Sequence, residues 1–288
     1  MSSTPTRRAY LALGFGILCI GLSAIFVKLA GVPGIISGFY RVFIAALILM
    51  PWWFARGRQL PRRQVLPLIL LGGVFFGLDL ALWNTALLMT SAAQATLLAN
   101  NAPLWVGLGA LLLFKEKLNR IYWLGLLLAL VGMVLVARPA GASGFSLDAG
   151  SLMAIAASML YAAYLLTTQR VRASTSTVTF MTLSVASSTA LLLMMGLATN
   201  TPFTGYPPRS WLALLGLALI SQVGGWLSIN YALGHLPATQ VSVSLLGQVL
   251  VTTLIAIPVF GEIPAPIQVI GGALVLGGIY LVQRSRQL

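Results

Sequence analysis

Long apolar runs follow one another through almost the whole chain and leave room for little else. Of the 288 residues, 59% are apolar and only 7% are charged, whereas a soluble domain carries about 25% charged residues. A helix that crosses a bilayer takes about 20 residues, so ten such helices use roughly 200–220 residues. The sequence therefore predicts an all-α polytopic membrane protein that sits in a lipid bilayer and has no separate soluble domain.

Ten apolar segments indicate membrane helices, because each is longer than the roughly ten-residue alternation of a barrel strand. The predicted spans are 9–30, 33–54, 66–89, 91–114, 119–138, 147–170, 174–198, 209–233, 237–260 and 264–284. Lysine and arginine cluster before the first span, after the last, and in the connections between spans 2 and 3, 4 and 5, and 6 and 7. By the positive-inside rule, this alternation predicts that both termini are cytoplasmic in a bacterial inner membrane.

The net charge of +13 comes mostly from these same clusters. In a soluble chain such a charge would suggest nucleic acid, but here it is a topology signal, so no nucleic-acid partner is expected. One histidine and one cysteine are too few ligands for a zinc site. The phosphate-binding motif of ATPases does not occur in the sequence. We therefore expect no metal and no cofactor.

Polar matches reveal an internal repeat. Asn84–Leu87 aligns with Asn230–Leu233, which lies 146 residues later, and Phe114–Glu116 aligns with Phe260–Glu262 at the same offset. Glycines of the fifth and tenth spans also align at this offset. Chance matches between apolar residues are common in membrane chains, so the matches at Asn and Glu carry the signal. The chain is predicted to consist of two similar halves.

Each half holds five predicted spans, and five is an odd number. The second half, residues 141–288, must therefore enter the membrane from the side opposite to the first half, residues 1–140. Two inverted halves that share one site at mid-membrane are typical of secondary transporters. Such a pair can open the shared site first to one side of the membrane and then to the other.

On these features the sequence resembles the drug/metabolite transporter superfamily, EamA type. The resemblance rests on Tyr40–Phe43 early in span 2, on Phe114–Glu116 and Phe260–Glu262, and on the glycine-rich spans 5 and 10. The chain is similar overall to bacterial aromatic amino-acid exporters of the YddG kind. The resemblance implies ten helices in two inverted five-helix repeats around a central cavity, with amino acids as substrates. The family often has Trp-Gly in span 1, where this chain has Ile20 and Gly21.

Two charged residues lie well inside predicted spans, Arg41 in span 2 and Asp79 in span 3. A carboxylate at the bilayer centre costs about 2.5–3.5 kcal/mol, so it should face the bundle interior and have a partner. At a rise of about 1.5 Å per residue, the two residues lie at similar depths, which suggests an ion pair. That pair could be purely structural, or it could serve an amine, a carboxylate or a coupling proton.

Span 4 contains Pro103, which removes the helical hydrogen bond to the carbonyl of Ala99. Asn100 and Asn101 flank the expected break, and backbone groups freed there could bind the polar part of a substrate. The break could equally be a kink that is tolerated for packing. The repeat partner of Pro103 is Val249, so the sequence predicts a break in span 4 but not in span 9.

Polar and aromatic side chains recur at helical spacing on single faces of several spans. Span 8 carries Gln222, Trp226 and Asn230 at successive turns, and span 9 carries Ser244 and Gln248 in the same way. Amides that face lipid would be costly, so these faces are expected to meet around a cavity, although each stripe alone could serve interhelical hydrogen bonding. The candidate substrate-binding residues are Arg41, Asp79, Trp83, Asn84, Asn101, Trp105, Tyr161, Trp226, Asn230, Ser244 and Gln248.

The leading hypothesis is a secondary transporter that exports small polar metabolites and can work as a monomer. One acid, one base, several amides and several aromatic rings suit a zwitterion with an apolar side chain. The choice of amino acids, aromatic ones included, comes from the resemblance. The alternative is a multidrug carrier for organic cations, with Asp79 as the counter-charge. The sequence has no H-E-x-x-H or similar hydrolase motif, and the inverted repeat argues against a channel.

Overall fold

The computed structural model describes residues 7–57, 59–89, 92–137, 148–260 and 265–285, and no β-strand occurs among them. The helices are α1 (Arg7–Gly21), α2 (Ser23–Ala30), α3 (Gly34–Ala55), α4 (Leu66–Met89), α5 (Ala92–Ala99), α6 (Ala102–Leu113), α7 (Arg120–Ala137), α8 (Ala149–Arg172), α9 (Thr177–Ala198), α10 (Pro208–Gly216), a π-helix (Leu217–Trp226), α11 (Leu227–Leu233), α12 (Ala238–Leu245), α13 (Gly247–Phe260) and α14 (Pro266–Arg284).

Eight helical segments are long and apolar enough to cross a membrane, and two shorter apolar helices complete a set of ten. Span 1 consists of α1 and α2, span 4 of α5 and α6, span 8 of α10, the π-helix and α11, and span 9 of α12 and α13. Spans 2, 3, 5, 6, 7 and 10 are α3, α4, α7, α8, α9 and α14. The prediction of an all-α membrane protein with ten spans is confirmed. The predicted ends at residues 91, 138, 147 and 264, with Gly261 and Glu262 of the repeated motif, lie outside the described residues.

Two spans break at equivalent positions of the repeat. Span 4 breaks between α5 and α6, where Asn100 and Asn101 precede Pro103, as the sequence predicts. Span 9 also breaks, at Leu246, which is the repeat partner of Asn100. The expectation of a break in span 4 alone is therefore wrong. Gly247 follows the second break, and glycine weakens a helix by about 1 kcal/mol relative to alanine, so no proline is needed there.

Span 8 departs furthest from α-helical geometry. Leu217–Trp226 form a π-helix of ten residues, whereas the sequence predicts a continuous α-helix. π-Helical turns are rare and are frequent at functional sites. Span 1 packs closely on this segment, because a Cβ atom at Gly225 would lie 3.0 Å from Cβ of Cys19. Span 1 is itself interrupted at Leu22, between α1 and α2.

Spans 5 and 10 pack backbone against backbone through glycines. A Cβ atom at Gly125 would lie 2.9 Å from the carbonyl oxygen of Gly278, and one at Gly132 would lie 2.5 Å from that of Gly271. Gly125 and Gly132 are the repeat partners of Gly271 and Gly278, so the two contacts exchange partners as a two-fold axis requires. The two helices are antiparallel, as inverted repeats demand, and these glycines let the two backbones come into contact.

Hydrogen bonds tie several interhelical connections together at one end of the bundle. Thr179 Oγ1 donates to the carbonyl of Gln59 at 3.1 Å, and Asn119 Nδ2 donates to the carbonyl of Ser285 at 2.6 Å. We call this the basic end, because two of the connections that meet here carry arginine or lysine; it comprises residues 59–65, 115–119, 173–176 and 234–237 and the end of α14. At the opposite end, Tyr40 Oη donates to the carbonyl of Phe203 at 2.8 Å.

Candidate functional site

Arg41 is a buried charge at the centre of the bundle. α3 carries it into the interior, where only 5% of its surface is exposed. Its Nε donates to Oε1 of Gln222 at 2.7 Å, and its guanidinium carbon lies 5.8 Å from the ring centroid of Phe76, within cation–π range. Buried charges need partners. Here the second half of the chain supplies an amide and the first half supplies an aromatic ring.

Asp79 lies on α4 one turn beyond Phe76 and is partly buried. Its carboxylate is close enough to Arg41 and Tyr161 to interact electrostatically with both. Within the described part of the chain, however, Arg41 and Asp79 form no direct ion pair, and the Nε of Arg41 donates to Gln222 instead. The two charges therefore act on each other through space, which leaves the carboxylate able to accept a further cation.

Trp226 stands in an aromatic cluster built from spans 3, 6 and 8. Its ring centroid lies 4.9 Å from that of Phe76, 5.3 Å from that of Tyr164 and 5.7 Å from that of Tyr161, edge-to-face in each case. Phe76 and Tyr164 are themselves 4.8 Å apart. Each such pair contributes about 0.5–1.5 kcal/mol beyond the burial of its area. The cluster forms a rigid apolar wall beside Arg41.

Asn230 holds this cluster from the side of the basic end. Its Nδ2 donates to Tyr164 Oη at 2.9 Å and to the carbonyl of Trp226 at 2.8 Å, and the residue is fully buried. Its own carbonyl accepts a hydrogen bond from Arg172 Nε at 3.0 Å. Asn230 therefore positions the aromatic rings and links them to the basic end.

Two buried donors on the π-helix have no hydrogen-bond partner among the described residues. They are Nε2 of Gln222 and Nε1 of Trp226, and the two side chains are only 1% and 4% exposed. An unpaired buried donor costs about 1–3 kcal/mol, so an acceptor in reach of either atom would be strongly favoured. Because Arg41 lies against Gln222, an anionic acceptor such as a carboxylate suits this corner of the site.

Trp105 lies at the edge of the central cluster. Its Nε1 donates to Ser158 Oγ at 2.9 Å, and Ser158 in turn donates to the carbonyl of Ile155 at 2.7 Å. Ser158 is one turn before Tyr161 on α8. The indole NH of Trp105 is thus used to join span 4 to span 6.

Asn84 lies away from the centre and joins span 3 to span 2. Its Nδ2 donates to the carbonyl of Gly34 at 2.8 Å and to Ser37 Oγ at 3.2 Å. A Cβ atom at Gly34 would lie 2.5 Å from Cβ of Asn84, so the two backbones touch. Its repeat partner Asn230 joins span 8 to span 7 in a similar way, because Asn230 Nδ2 donates to the sulfur of Met181.

The remaining candidates are spread over other contacts. Gln248 Nε2 donates to Asn100 Oδ1 at 3.0 Å and so joins the breaks of spans 9 and 4. Ser244 Oγ accepts from Gln283 Nε2 at 2.6 Å, between spans 9 and 10. Asn101 and Trp83 are partly buried, at the break of span 4 and one turn beyond Asp79. The structure thus brings together Arg41, Asp79, Tyr161, Trp226 and Asn230, and it distributes the other six around them.

Three members of the central cluster are absent from the residues that the sequence singles out as candidates. Gln222 belongs to the polar stripe of span 8, and Tyr164 lies one turn from Tyr161, so helical spacing could have found both. Phe76 offers no such signal, because a phenylalanine in an apolar span looks the same whether it lines a site, a helix contact or lipid.

The chain matches a family of known membrane transporters. Residues 7–138 and 148–284 each match the EamA-like transporter family, and the chain belongs to it. It is therefore a multi-pass membrane transporter.

Several named relatives have comparable similarity. The pseudopaline exporter CntI of Pseudomonas aeruginosa is 27% identical over 252 residues, which cover 86% of each chain. A probable terminal-alkyne amino-acid exporter of Streptantibioticus cattleyicolor is 25% identical, covering 79% of this chain and 76% of that one. The uncharacterized transporter YdfC of Bacillus subtilis is 25% identical, covering 83% and 78%. A solved crystal structure has the same fold, with a TM-score of 0.81 at 22% identity over 97% and 98% of the two chains.

Proposed function

We propose that this protein is a secondary transporter that exports small zwitterionic metabolites, in particular amino acids with aromatic or large apolar side chains. The observation that carries the proposal is the unpaired indole NH of Trp226, which lies at the edge of an aromatic wall and on the same π-helix as Gln222. In a substrate with a carboxylate beside an apolar side chain, the carboxylate would accept a hydrogen bond from the indole NH, and the side chain would pack on the aromatic wall.

Each part of such a substrate has a counterpart in the central cluster. The carboxylate would accept hydrogen bonds from Trp226 Nε1 and Gln222 Nε2 and would be attracted by Arg41. The ammonium group would approach Asp79, and the side chain would lie against Tyr161, whose ring faces Trp226 at 5.7 Å. Charge-assisted hydrogen bonds are roughly twice as strong as neutral ones, so the two charged ends would fix the orientation.

The printed names of two relatives support export of this chemical class. CntI is named as an exporter of pseudopaline, and the Streptantibioticus protein as a probable exporter of an amino acid. We carry over from them the direction of transport and the amino-acid character of the cargo, and nothing about the particular molecule.

Alternating access is the transport mechanism that we propose for the two halves, residues 1–140 and 141–288. Arg41 and Gln222 come from different halves, so the site lies where the halves meet, as in other carriers with inverted repeats. The positive-inside rule makes the basic end cytoplasmic, with both termini on that side of the inner membrane. The chain itself supplies both halves of the site, so a monomer suffices.

Flux into liposomes tests the proposal. Purified protein in proteoliposomes should accumulate labelled L-phenylalanine saturably, and unlabelled zwitterionic amino acids with apolar side chains should compete. Competition by organic cations alone would favour the second candidate, a multidrug carrier, for which the electrostatic interaction between Asp79 and Tyr161 is the supporting observation. Non-saturating flux, or no flux of any amino acid, would exclude the first proposal.

A further inference from the structure

A cavity lies at the basic end, away from the central cluster. It has a volume of about 300 Å³, and its walls come from the connection between spans 4 and 5, from the start of span 9 and from the end of span 10. We propose that this cavity binds a small zwitterion of the transported class, as a site separate from the central one. The ligand class rests on the proposed function; the existence of the site does not.

Two buried polar atoms, each on a side chain that lines the cavity, have no hydrogen-bond partner among the described residues. They are Tyr122 Oη and Gln240 Oε1, on side chains that are 2% and 4% exposed. Both residues line the cavity. Tyr122 offers a donor and Gln240 an acceptor, so the side chains that line the cavity carry one unmet group of each kind.

The hydroxyl of Tyr122 is held in place by packing. A Cβ atom at Gly107 would lie 2.8 Å from Tyr122 Oη, so span 4 can admit the phenol only because this position is a glycine. The Tyr122 ring also contacts Trp123 edge-to-face at 5.3 Å between centroids. A buried hydroxyl fixed in this way and lacking a partner costs about 1–3 kcal/mol, which a ligand carboxylate would recover.

The amide nitrogen of Gln240 already has a hydrogen-bond partner. Its Nε2 donates weakly to the carbonyl of Gln283 at 3.4 Å, and Gln283 Nε2 donates to Ser244 Oγ at 2.6 Å. This hydrogen bond leaves Gln240 Oε1 as an acceptor that has no partner among the described residues. The side chain is thereby fixed to accept from a cationic or neutral NH group.

Charged side chains of both signs complete the wall. Glu116 is partly buried, and Gln169 Nε2 donates to its Oε1 at 3.2 Å. Lys117, the next residue in the chain, also lines the cavity and is exposed. The Glu116 carboxylate lies close enough to act electrostatically on Tyr122. An ammonium group between Glu116 and Gln240, with a carboxylate between Lys117 and Tyr122, would match all four groups. The volume is at the lower limit of about 300–1,000 Å³ for small-molecule pockets.

The cavity also touches both halves of the chain. Glu116 and Tyr122 belong to the first half, and Gln240 and Ser285 to the second. Ala238 N donates to Oε1 of the same Gln169 whose amide reaches Glu116. A molecule bound here would therefore contact the two halves at the end that we propose to be cytoplasmic, where a cargo for export would first arrive.

Protection of a single engineered cysteine tests the site. In the full chain in nanodiscs, Cys19→Ser removes the only native cysteine, which is buried, and Ser285→Cys then places a thiol in the cavity wall. L-Phenylalanine is the probe, with other zwitterionic amino acids beside it. At ten times its half-protecting concentration, it should slow labelling by an impermeant methanethiosulfonate about tenfold by mass action. Ser174→Cys, exposed at the same end but outside the cavity, should show no protection.

Variants separate this site from the central one. Tyr122→Phe removes only the unpaired hydroxyl, and it should raise the half-protecting concentration about tenfold, whereas Tyr231→Phe at the same end should not change it. Trp226→Ala should leave protection intact. Loss of protection in Trp226→Ala, or no effect of Tyr122→Phe, would overturn the proposal.

Flux measured in parallel distinguishes the two proposals. Protection of Ser285→Cys without any amino-acid flux would uphold the cavity and overturn the proposed function. Saturable flux of L-phenylalanine without protection would uphold the proposed function and overturn the cavity site.

Discussion

Arg41 Nε and Gln222 Oε1 lie 2.7 Å apart, although the two residues are separated by 181 positions in the chain and belong to different repeats. The bond fixes the orientation of the amide, so that its NH₂ group points away from the guanidinium and has no hydrogen-bond partner in the described part of the chain. A charged side chain from one half thus sets the hydrogen-bonding capacity of the other half.

The first prediction concerns the charge of Arg41. Arg41→Gln should lower kcat/KM for a zwitterionic substrate at least about tenfold, because a charge-assisted hydrogen bond contributes about 1.5–3 kcal/mol. Arg41→Lys keeps the charge and should retain part of the flux. The measurement is initial flux in proteoliposomes at matched protein content.

Arg56→Gln is the control for this change, since Arg56 is exposed at the end of span 2 and stacks on Trp52 at 4.9 Å. Equal flux in Arg41→Gln and the wild-type protein would mean that Arg41 is a structural charge.

The second prediction separates two tryptophans. Trp226→Phe keeps an aromatic ring in the cluster but removes the unpaired NH, and it should raise KM about tenfold, the equivalent of one hydrogen bond of about 1.4 kcal/mol. Trp105→Phe removes an NH that is already bonded to Ser158, so it should lower thermal stability while KM stays near the wild-type value. If Trp105→Phe raised KM and Trp226→Phe lowered only the thermal stability, the substrate would bind at span 4 and not at span 8.

The third prediction concerns the sign of charge that Asp79 selects. Asp79→Asn should weaken competition by zwitterionic and cationic compounds, because the mutation removes the group that faces their positive charge. Competition by the deaminated acid with the same side chain should become stronger, since Arg41 would then act unopposed. Competition constants for such a matched pair of compounds give the measurement. If neither constant changes, Asp79 serves only the packing of span 3.

Helix number, the repeat and the central charges could be predicted from the sequence, because each depends on composition or on spacing along one helix. The bonding pattern inside the bundle could not. Arg41 and Asp79 lie at similar depth, yet Arg41 donates to Gln222, because rotation of the spans about their axes decides which neighbour is reached. The amino-acid sequence does not indicate how far each span is rotated about its axis.

Backbone irregularities show the same limit. Pro103 predicts the break in span 4, because proline lacks an NH group. At the equivalent break in span 9, the only sequence signal is the glycine that follows Leu246. The π-helix of span 8 changes the hydrogen-bond register without changing the apolar pattern, so periodicity cannot detect it. Asn84 and Ser244 are polar residues inside spans that the structure uses for interhelical hydrogen bonds, and polarity alone does not distinguish this use from ligand binding.

The last prediction concerns the contact between spans 5 and 10. Gly132→Ala would place a Cβ atom 2.5 Å from the carbonyl oxygen of Gly271, closer than packed atoms can approach, so the backbones must separate. Overpacking of this kind costs about 1–3 kcal/mol, and the melting temperature in detergent should fall accordingly. Gly14→Ala is the matched control, because no atom of the described residues lies within 4 Å of a Cβ atom there. The gain in helix propensity of about 1 kcal/mol should leave the melting temperature equal or higher. Because the two-fold relation exchanges Gly132 with Gly278, whose Cβ atom would likewise lie 2.5 Å from a carbonyl oxygen, that of Gly125, Gly278→Ala should have a similar effect to Gly132→Ala. Unequal effects, with Gly132→Ala as stable as Gly14→Ala, would contradict the two-fold relation between the halves at this interface.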